Sequence, residues 1–302
     1  MGANWARVIE QSPQTVLSIV VDPDLERAKE MAAQHGGNAS ADLDAVRVAD
    51  AVIVATPTRH HIEIATPLVA DRIPVLVEKP MATSCAEVES LCALAASQAV
   101  PLMCGFVERF NAVVATLKLI LEGRPLHVLA IRHSPRNPGA SASVVWDLLI
   151  HDLDLLLQIA EPIGEPLVAA QSLVPHDSDT AEIADCLLHF PDGLIANLSV
   201  SRRSQTKVRS MTVASDTALY EVDLLRQDVT VYRHLHAEFL MGKGPRYRSE
   251  TAIEVPFVRH AGEPLALELA HFVDLVEGRA DRRRELAGIA APHRIAERIA
   301  TA

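Results

Sequence analysis

The chain has few glycines, few aromatic rings and no excess of positive charge. Among 302 residues there are 13 glycines, two tryptophans, three tyrosines and six phenylalanines, and the net charge is −11. That balance excludes general binding to nucleic acid or to an anionic membrane surface, because both need clustered lysine and arginine. No apolar run approaches the roughly 20 residues of a membrane span, and the N-terminus does not read as a secretory signal. A cytoplasmic protein is therefore expected. The cysteines are Cys85, Cys92, Cys104 and Cys186. Their spacings match no zinc motif, and disulfides are not expected without a secretory signal. No metal is expected either; of the His60-His61 pair, His61 reads as a cleft-rim or capping residue.

What the chain does have is aliphatic bulk, 49% hydrophobic residues with only 4% aromatic, in two rhythms. Over the first hundred residues strand and helix patterns alternate. "TVLSIVVD", "ADAVIVAT", "IPVLVEKP" and "VPLMCGF" are short buried-strand runs, separated by the helical patterns "DLERAKEMAAQHG", "HHIEIATPLVAD" and "SCAEVESLCALAASQA". Short aliphatic strands joined by helices predict an α/β domain with a doubly wound parallel sheet. From about Leu126 strands follow one another: "LHVLAIRH", "ADCLLHF", "LIANLSVS", "VRSMTVAS", "ALYEVDLL" and "DVTVYRHL". Tight turns such as "PDG" join several of them, which predicts an antiparallel sheet. The chain closes with helical patterns "PLALELAHFVDLVEGR" and "PHRIAERIA". Two domains are expected, 1–105 and 106–302, the second α+β.

Three constellations carry candidate chemistry. The first is "VVWDLLIHDLDLLL", Val144 to Leu157, where three aspartates and a histidine interrupt an apolar run. On a helix, at about 100° per residue, Asp147, His151, Asp154 and Gln158 share a stripe, with Asp147 and His151 one turn apart. Either the stripe is the wet face of an amphipathic helix, or a carboxylate and an imidazole face a cleft for acid–base chemistry on a hydroxyl. Asp152 projects from the leucine face and reads as a buried structural carboxylate. The second is Glu78-Lys79-Pro80, directly after a strand, where ligands bind in open α/β sheets. Lys79 is either a donor to a reacting oxygen or ribose hydroxyl, or a lysine in an exposed turn. The third is "MGANWARVIEQSP", which reads as the first helix of a dinucleotide-binding unit with Gly2 as its entry glycine. Asp22, 20 residues on, falls where a ribose-binding carboxylate does, or it caps the next helix with Pro23 at the first position.

Together these residues resemble the glucose–fructose oxidoreductase / inositol dehydrogenase / MocA family. The likeness runs through "VVDPDLERA", "ADAVIVATPTRHHIEIA", "VLVEKPMA", "GFVERFN", "DLLIHDLDLLL", "FPDGLIANLSVS" and "EPLALELAHFVDLVEG", in the family's order and spacing. The resemblance implies an N-terminal Rossmann domain, a C-terminal domain with an open, mainly antiparallel sheet, and hydride exchange between a nicotinamide cofactor and a sugar, nucleotide-sugar or cyclitol hydroxyl. It assigns Lys79 to the nicotinamide and the substrate hydroxyl, and His151 to general acid/base catalysis beside Asp147. Asp22 then favours NAD over NADP. The "ATPT" loop with Thr56 and Pro57, together with His61 and Glu78, lies on the cofactor side, and Arg109 and Asn111 are substrate or cofactor candidates, or else brace the following helix. "GFVERFN" and "IHDLDL" look most like the branch that oxidises the 3-hydroxyl of UDP-N-acetylglucosamine. Pairing into homodimers or homotetramers through the C-terminal sheet is implied.

The family's chains begin with a strand and two further glycines before the residue matched by Met1. Either the start lies upstream of Met1, or the chain is a non-catalytic ligand-binding or scaffolding relative. On either view, the chain as written is expected to hold NAD weakly.

Overall fold

A computed structural model describes residues 1–136, 142–241 and 244–302, the side chains of 235–249 excepted. The chain forms two compact units: Met1–Phe110 with Ala261–Glu297, and Asn111–His260 with Arg298–Ala302. The expected single boundary at 105/106 is thus not the only crossing, because the closing helices return to the first unit.

The first unit begins with α1 (Gly2–Gln11), β1 (Ile19–Val21), α2 (Leu25–His35) and β2 (Asn38–Ser40). Next come β3 (Val52–Val54), α3 (His61–Ala70), β4 (Val75–Glu78), α4 (Cys85–Gln98) and β5 (Leu102–Gly105). All strand pairs are parallel, as the alternating pattern predicts. β1 pairs with β2, and β3 with β4 and β4 with β5. Among the described residues β1 and β3 do not pair, so the sheet is in two pieces. β4 and β5 are buried at every position, which is why they read as unbroken aliphatic runs rather than as alternation.

The second unit starts with α5 (Ala112–Ile120), β6 (Pro125–His133) and α6 (Ile150–Ala160). β7 (Leu167–Leu173), β8 (Ile183–His189), β9 (Ile195–Ser201), β10 (Val208–Ser215), β11 (Leu219–Asp223), β12 (Asp228–Met241) and β13 (Gly244–Glu254) follow. They make an eight-stranded sheet in the order β13-β12-β11-β10-β6-β9-β8-β7. Only β6 and β9 run parallel; the other neighbours are antiparallel. This is the open, mainly antiparallel sheet that was expected, with β7 and β13 added to the strands read from the sequence.

α7 (Pro264–Val276) and α8 (Arg282–Ala300) complete the chain. Leu265, Leu269, Phe272 and Leu275 of α7 join Trp5 and Val8 of α1, Leu76 and Met103 in one buried cluster. The α7 stripe at i, i+4, i+7 needs an apolar partner, and the first unit supplies it. α8 starts ten residues before the expected start at Pro292. Proline inside a helix removes the bond to the carbonyl four residues back, here that of Gly288. The Gly288 carbonyl instead accepts from Arg109 Nη2 at 3.0 Å, so the helix continues without an orphaned acceptor.

α6 is buried on nearly all sides, with Ile150, Leu153, Leu155 and Leu156 fully enclosed. Asp152 sits among them, 3% exposed, and receives Arg132 of β6 through Nη2 at 2.7 Å and Nε at 3.0–3.1 Å. Asp152 is thus a buried structural carboxylate, as its place on the leucine face predicts. Removing one partner of such a pair leaves the other charge uncompensated in a low-dielectric interior. Asp152→Ala should therefore cost about 3–5 kcal/mol, and replacing both Arg132 and Asp152 by apolar residues should recover most of it. Urea unfolding of the three proteins checks this; a loss below about 1 kcal/mol for Asp152→Ala would mean that the pair does not anchor α6.

Candidate functional site

In the first unit the candidate residues follow directly on the C-terminal ends of β1, β3 and β4. Asp22 closes β1. It is not the cap of α2; Asp24 is, accepting from the amides of Glu26 and Arg27. Asp22 Oδ1 accepts from the Asp24 amide at 2.9 Å, and Oδ2 lies 3.8 Å from exposed Arg27. The helix-cap alternative is thereby removed, and a carboxylate remains at the strand end.

The loop after β3 carries Thr56 and Pro57. Pro57 is exposed, whereas Thr56 Oγ1 is a buried hydroxyl with no hydrogen-bond partner among the described residues. An unpaired buried hydroxyl costs about 1–3 kcal/mol, so it marks a place where a ligand group fits. Gly2 opens α1, no side chain caps that helix end, and a Cβ at Gly2 would meet nothing within 4 Å. A carboxylate at a strand end, an orphaned hydroxyl and an uncapped helix start are compatible with a dinucleotide.

The turn after β4 is clamped. Glu78 is 5% exposed, and its carboxylate accepts from Trp5 Nε1 at 2.7 Å and from the Lys79 amide at 3.2 Å. Gly105 on β5 makes room for it, since a Cβ there would stand 3.2 Å from both Glu78 Cα and Oε2. Glu78 was expected on the cofactor side; the structure uses its carboxylate to hold the turn. The Lys79–Pro80 peptide is cis. The Pro80 carbonyl meets His61 Nδ1 at 2.9 Å, and the other ring nitrogen of His61 lies 2.8 Å from the Thr56 carbonyl. His61, expected at a cleft rim, is 1% exposed: its two polar atoms face inward, so the ring has no reason to meet water.

Two α8 side chains, absent from the sequence reading, hold the same turn. His293 Nε2 accepts from the Met81 amide at 3.0 Å, while Nδ1 donates to the Ile289 carbonyl at 2.7 Å. Glu297 accepts from the Cys85 amide at 3.3 Å. Burial pushes the His293 imidazole down to about 4, against the upward pull of its bond to Ile289. The only sequence signal was a histidine in an apolar helical pattern.

Arg109 and Asn111 are placed in bracing roles. Arg109 pairs with Glu285 at 2.9 Å and stacks over Phe106 at 4.8 Å. Burial pushes the Glu285 carboxyl up, but His271 at 3.2 Å and Arg109 together outweigh it and hold it below the usual range. Asn111 is 4% exposed; it caps α5 through the Val113 amide and donates to the Leu224 carbonyl. Both were substrate candidates because a charged residue near a strand end looks available until its partner is seen.

In the second unit, Asp147 does not sit on a regular α-helix. Residues Val145–Leu149 form a π-helical turn that runs into α6. Asp147 lies on the π turn, whereas His151, Asp154 and Gln158 lie on the regular helix that follows. Asp147 remains 36% exposed in its side chain and lies 3.6 Å from Arg202, just beyond β9. His151 is 9% and Asp154 1% exposed, so neither is on a wet face. Arg202 is 3% exposed, and its Nη2 donates to the Ala142 carbonyl. It was missed because an Arg-Arg pair after a strand reads as surface charge.

Residues 1–106 match the family model described as the GFO/IDH/MocA oxidoreductase family with an NAD-binding Rossmann fold, and residues 123–226 match the GFO/IDH/MocA C-terminal domain. The UDP-N-acetylglucosamine 3-dehydrogenase of Acidithiobacillus ferrooxidans is 30% identical over 220 residues, 72% of this chain and 69% of that protein. An inositol 2-dehydrogenase of Leifsonia xyli subsp. xyli is 30% identical over 60% of this chain, but only 56% of that protein's own length is spanned. A solved structure of the Acidithiobacillus protein superposes with a TM-score of 0.86 at 24% identity, covering 99% of this chain and 93% of that one.

The buried neutral state of His293 has a pH consequence. Its folded pKa of about 4 lies below the ordinary value of 6.5, so the unfolded chain binds a proton that the folded one refuses. Stability is present in full above pH 6.5 and falls as pH drops towards 4, by about 3 kcal/mol from this group. Gln at 293 can accept from Met81 and donate to Ile289 without titrating. Unfolding at stepped pH should show that His293→Gln loses this part of the acid sensitivity; an unchanged pH slope would count against the neutral histidine.

Proposed function

The chain belongs to the Gfo/Idh/MocA family of NAD-binding oxidoreductases, and from that premise we propose that it oxidises the 3-hydroxyl of UDP-N-acetylglucosamine or a close nucleotide sugar. The coarser statement is a property of the family: the chain is a dehydrogenase acting on the CH–OH group of a sugar or cyclitol, with NAD as cofactor. The choice of a nucleotide sugar is supported by 30% identity over 72% of this chain, whereas an inositol enzyme reaches 30% over only 60% and another, over 80%, only 25%. The observation that carries the site is the clamped turn after β4, which offers Lys79 at a strand end with its backbone held by Glu78, His61 and His293.

Bound NAD supplies the hydride acceptor. His151 takes the hydroxyl proton, so the alcohol loses a hydride and a proton and becomes a ketone. A neutral imidazole suits that step near pH 7. Lys79 donates to the reacting oxygen as negative charge gathers there, an interaction stronger in the transition state than in the alcohol. Asp147 orients the histidine or the sugar, and Arg202 fixes its carboxylate. Asp22 accepts the ribose hydroxyls and repels a 2′-phosphate. Thr56 Oγ1, buried without a partner, would donate to the cofactor.

We also propose a cytoplasmic homodimer or homotetramer, paired through the outer face of the second unit's sheet. Leu129, Asn197 and Leu187 lie in register across β6, β9 and β8, and Leu129, Leu187 and nearby Ile195 are exposed.

His151→Ala should lower kcat by about 10²–10⁴-fold with a melting temperature close to that of the parent, read from nicotinamide absorbance with a panel of nucleotide sugars, inositols and free sugars. Near-normal turnover in that variant would remove His151 from the mechanism. Asp22→Ser should weaken NAD binding and narrow the preference over NADP in calorimetric titrations. Tighter binding of NADP than of NAD by the unchanged protein would reverse the assignment of Asp22.

A further inference from the structure

His61 is hydrogen-bonded in a way that a neutral imidazole cannot satisfy. Its Nδ1 is 2.9 Å from the Pro80 carbonyl oxygen and its Nε2 is 2.8 Å from the Thr56 carbonyl oxygen. A carbonyl oxygen only accepts, whereas a neutral imidazole carries one N–H and one lone pair. With hydrogen on one nitrogen alone, the other would point a lone pair at an oxygen lone pair across less than 3 Å. The ring is 1% exposed, so water does not relieve that contact. Both distances lie inside the normal N–H···O range.

We infer that His61 carries hydrogen on both ring nitrogens and acts as a two-armed positioning residue that ties the Thr56 loop to the Lys79–Pro80 turn. The inference rests on the proposed dehydrogenase reading for its functional consequence, but not for its chemistry. The two carbonyls belong to the segments that leave β3 and β4, so the ring sets the distance between them. One segment carries the orphaned Thr56 hydroxyl and the other carries Lys79. A buried cation needs compensation. The two carbonyl dipoles, each within 3 Å of a ring nitrogen, provide it. Holding two loops by one charged ring makes the cofactor side rigid before NAD arrives, which lowers the ordering cost of binding. His61 touches neither substrate nor the reacting atoms in this scheme.

Two measurements test the inference separately from the reaction. The first is nitrogen NMR of the ring in the unchanged, cofactor-free protein at neutral pH, with His61→Gln used to assign the signals. Both ring nitrogens should show attached hydrogen, in slow exchange with water. A single protonated nitrogen with a lone-pair signal from the other overturns the two-armed donor. The second is calorimetric NAD titration of His61→Gln, whose amide can donate to one carbonyl but turns its own oxygen towards the other. Losing a charge-assisted bond should weaken NAD binding by about ten- to a hundredfold. In assays kcat should fall less than KM for NAD rises. NAD binding as tight as in the unchanged protein overturns the positioning role, whatever the ring's hydrogens. If the variant does not fold, the ring signals of the unchanged protein, assigned by selective labelling, still decide the first claim. If the chain oxidises none of the sugars offered, the proposed function fails while the ring measurement stands.

Discussion

A turn at a strand end presents its side chains in one place only if its own backbone does not move, and in this protein the backbone around Lys79 is held from three sides. The Glu78 carboxylate holds the amide of Lys79, His61 holds the carbonyl of Pro80, and His293 holds the amide of Met81. Each of these groups needs support in turn. Trp5 of α1 occupies the other oxygen of Glu78, the absence of a side chain at Gly105 makes space for it, and the Ile289 carbonyl fixes the hydrogen of His293 on Nδ1. The return of α7 and α8 to the first unit follows from this. α7 completes the apolar cluster around Trp5, and α8 brings His293 and Glu297 to the turn. A parallel sheet offers its strand ends as a binding edge, but strand ends are loops, and loops are mobile unless side chains pin them.

The same economy of polar groups governs the second unit. Asp147, Asp152 and Asp154 lie within eight residues, yet their environments separate their roles. Asp152 is enclosed and spent on Arg132. Asp147 keeps over a third of its side-chain surface and meets Arg202 at a looser 3.6 Å. Ion pairs buried as deeply as Arg132 with Asp152 are weak sources of net stability, because desolvation offsets the attraction. Here the pair ties the almost wholly apolar α6 to Arg132 of β6. Arg109 with Glu285 does the equivalent between the end of β5 and α8. The π turn before α6 belongs to the same logic. π turns collect at functional sites, and Asp147 on this one stays partly exposed while most of α6 is buried.

Much of the architecture was legible in the chain. Fully apolar runs gave β4 and β5, alternating runs gave β6 and β8 to β12, and the change of rhythm near Leu126 separated a parallel from an antiparallel sheet. These readings depend on side-chain periodicity over about ten residues, which is a local property. The special status of Asp147, His151, Asp152 and Lys79 was also visible, since polar groups in apolar runs need an explanation wherever the chain places them. Their partners were not visible. Arg132 is 20 residues from Asp152 in sequence, but His293 is 212 residues from Met81, and no local pattern reports on a contact of that range. Glu78, Arg109 and Asn111 therefore looked available for ligands until the fold brought Trp5, Glu285 and Leu224 to them. Sequence by itself determined which segments become strands and helices and which side chains are chemically capable. Tertiary structure alone decided which of those side chains are consumed in holding the fold, because a hydrogen-bonding group is spent or free according to what packs against it, and that is set by residues far away along the chain.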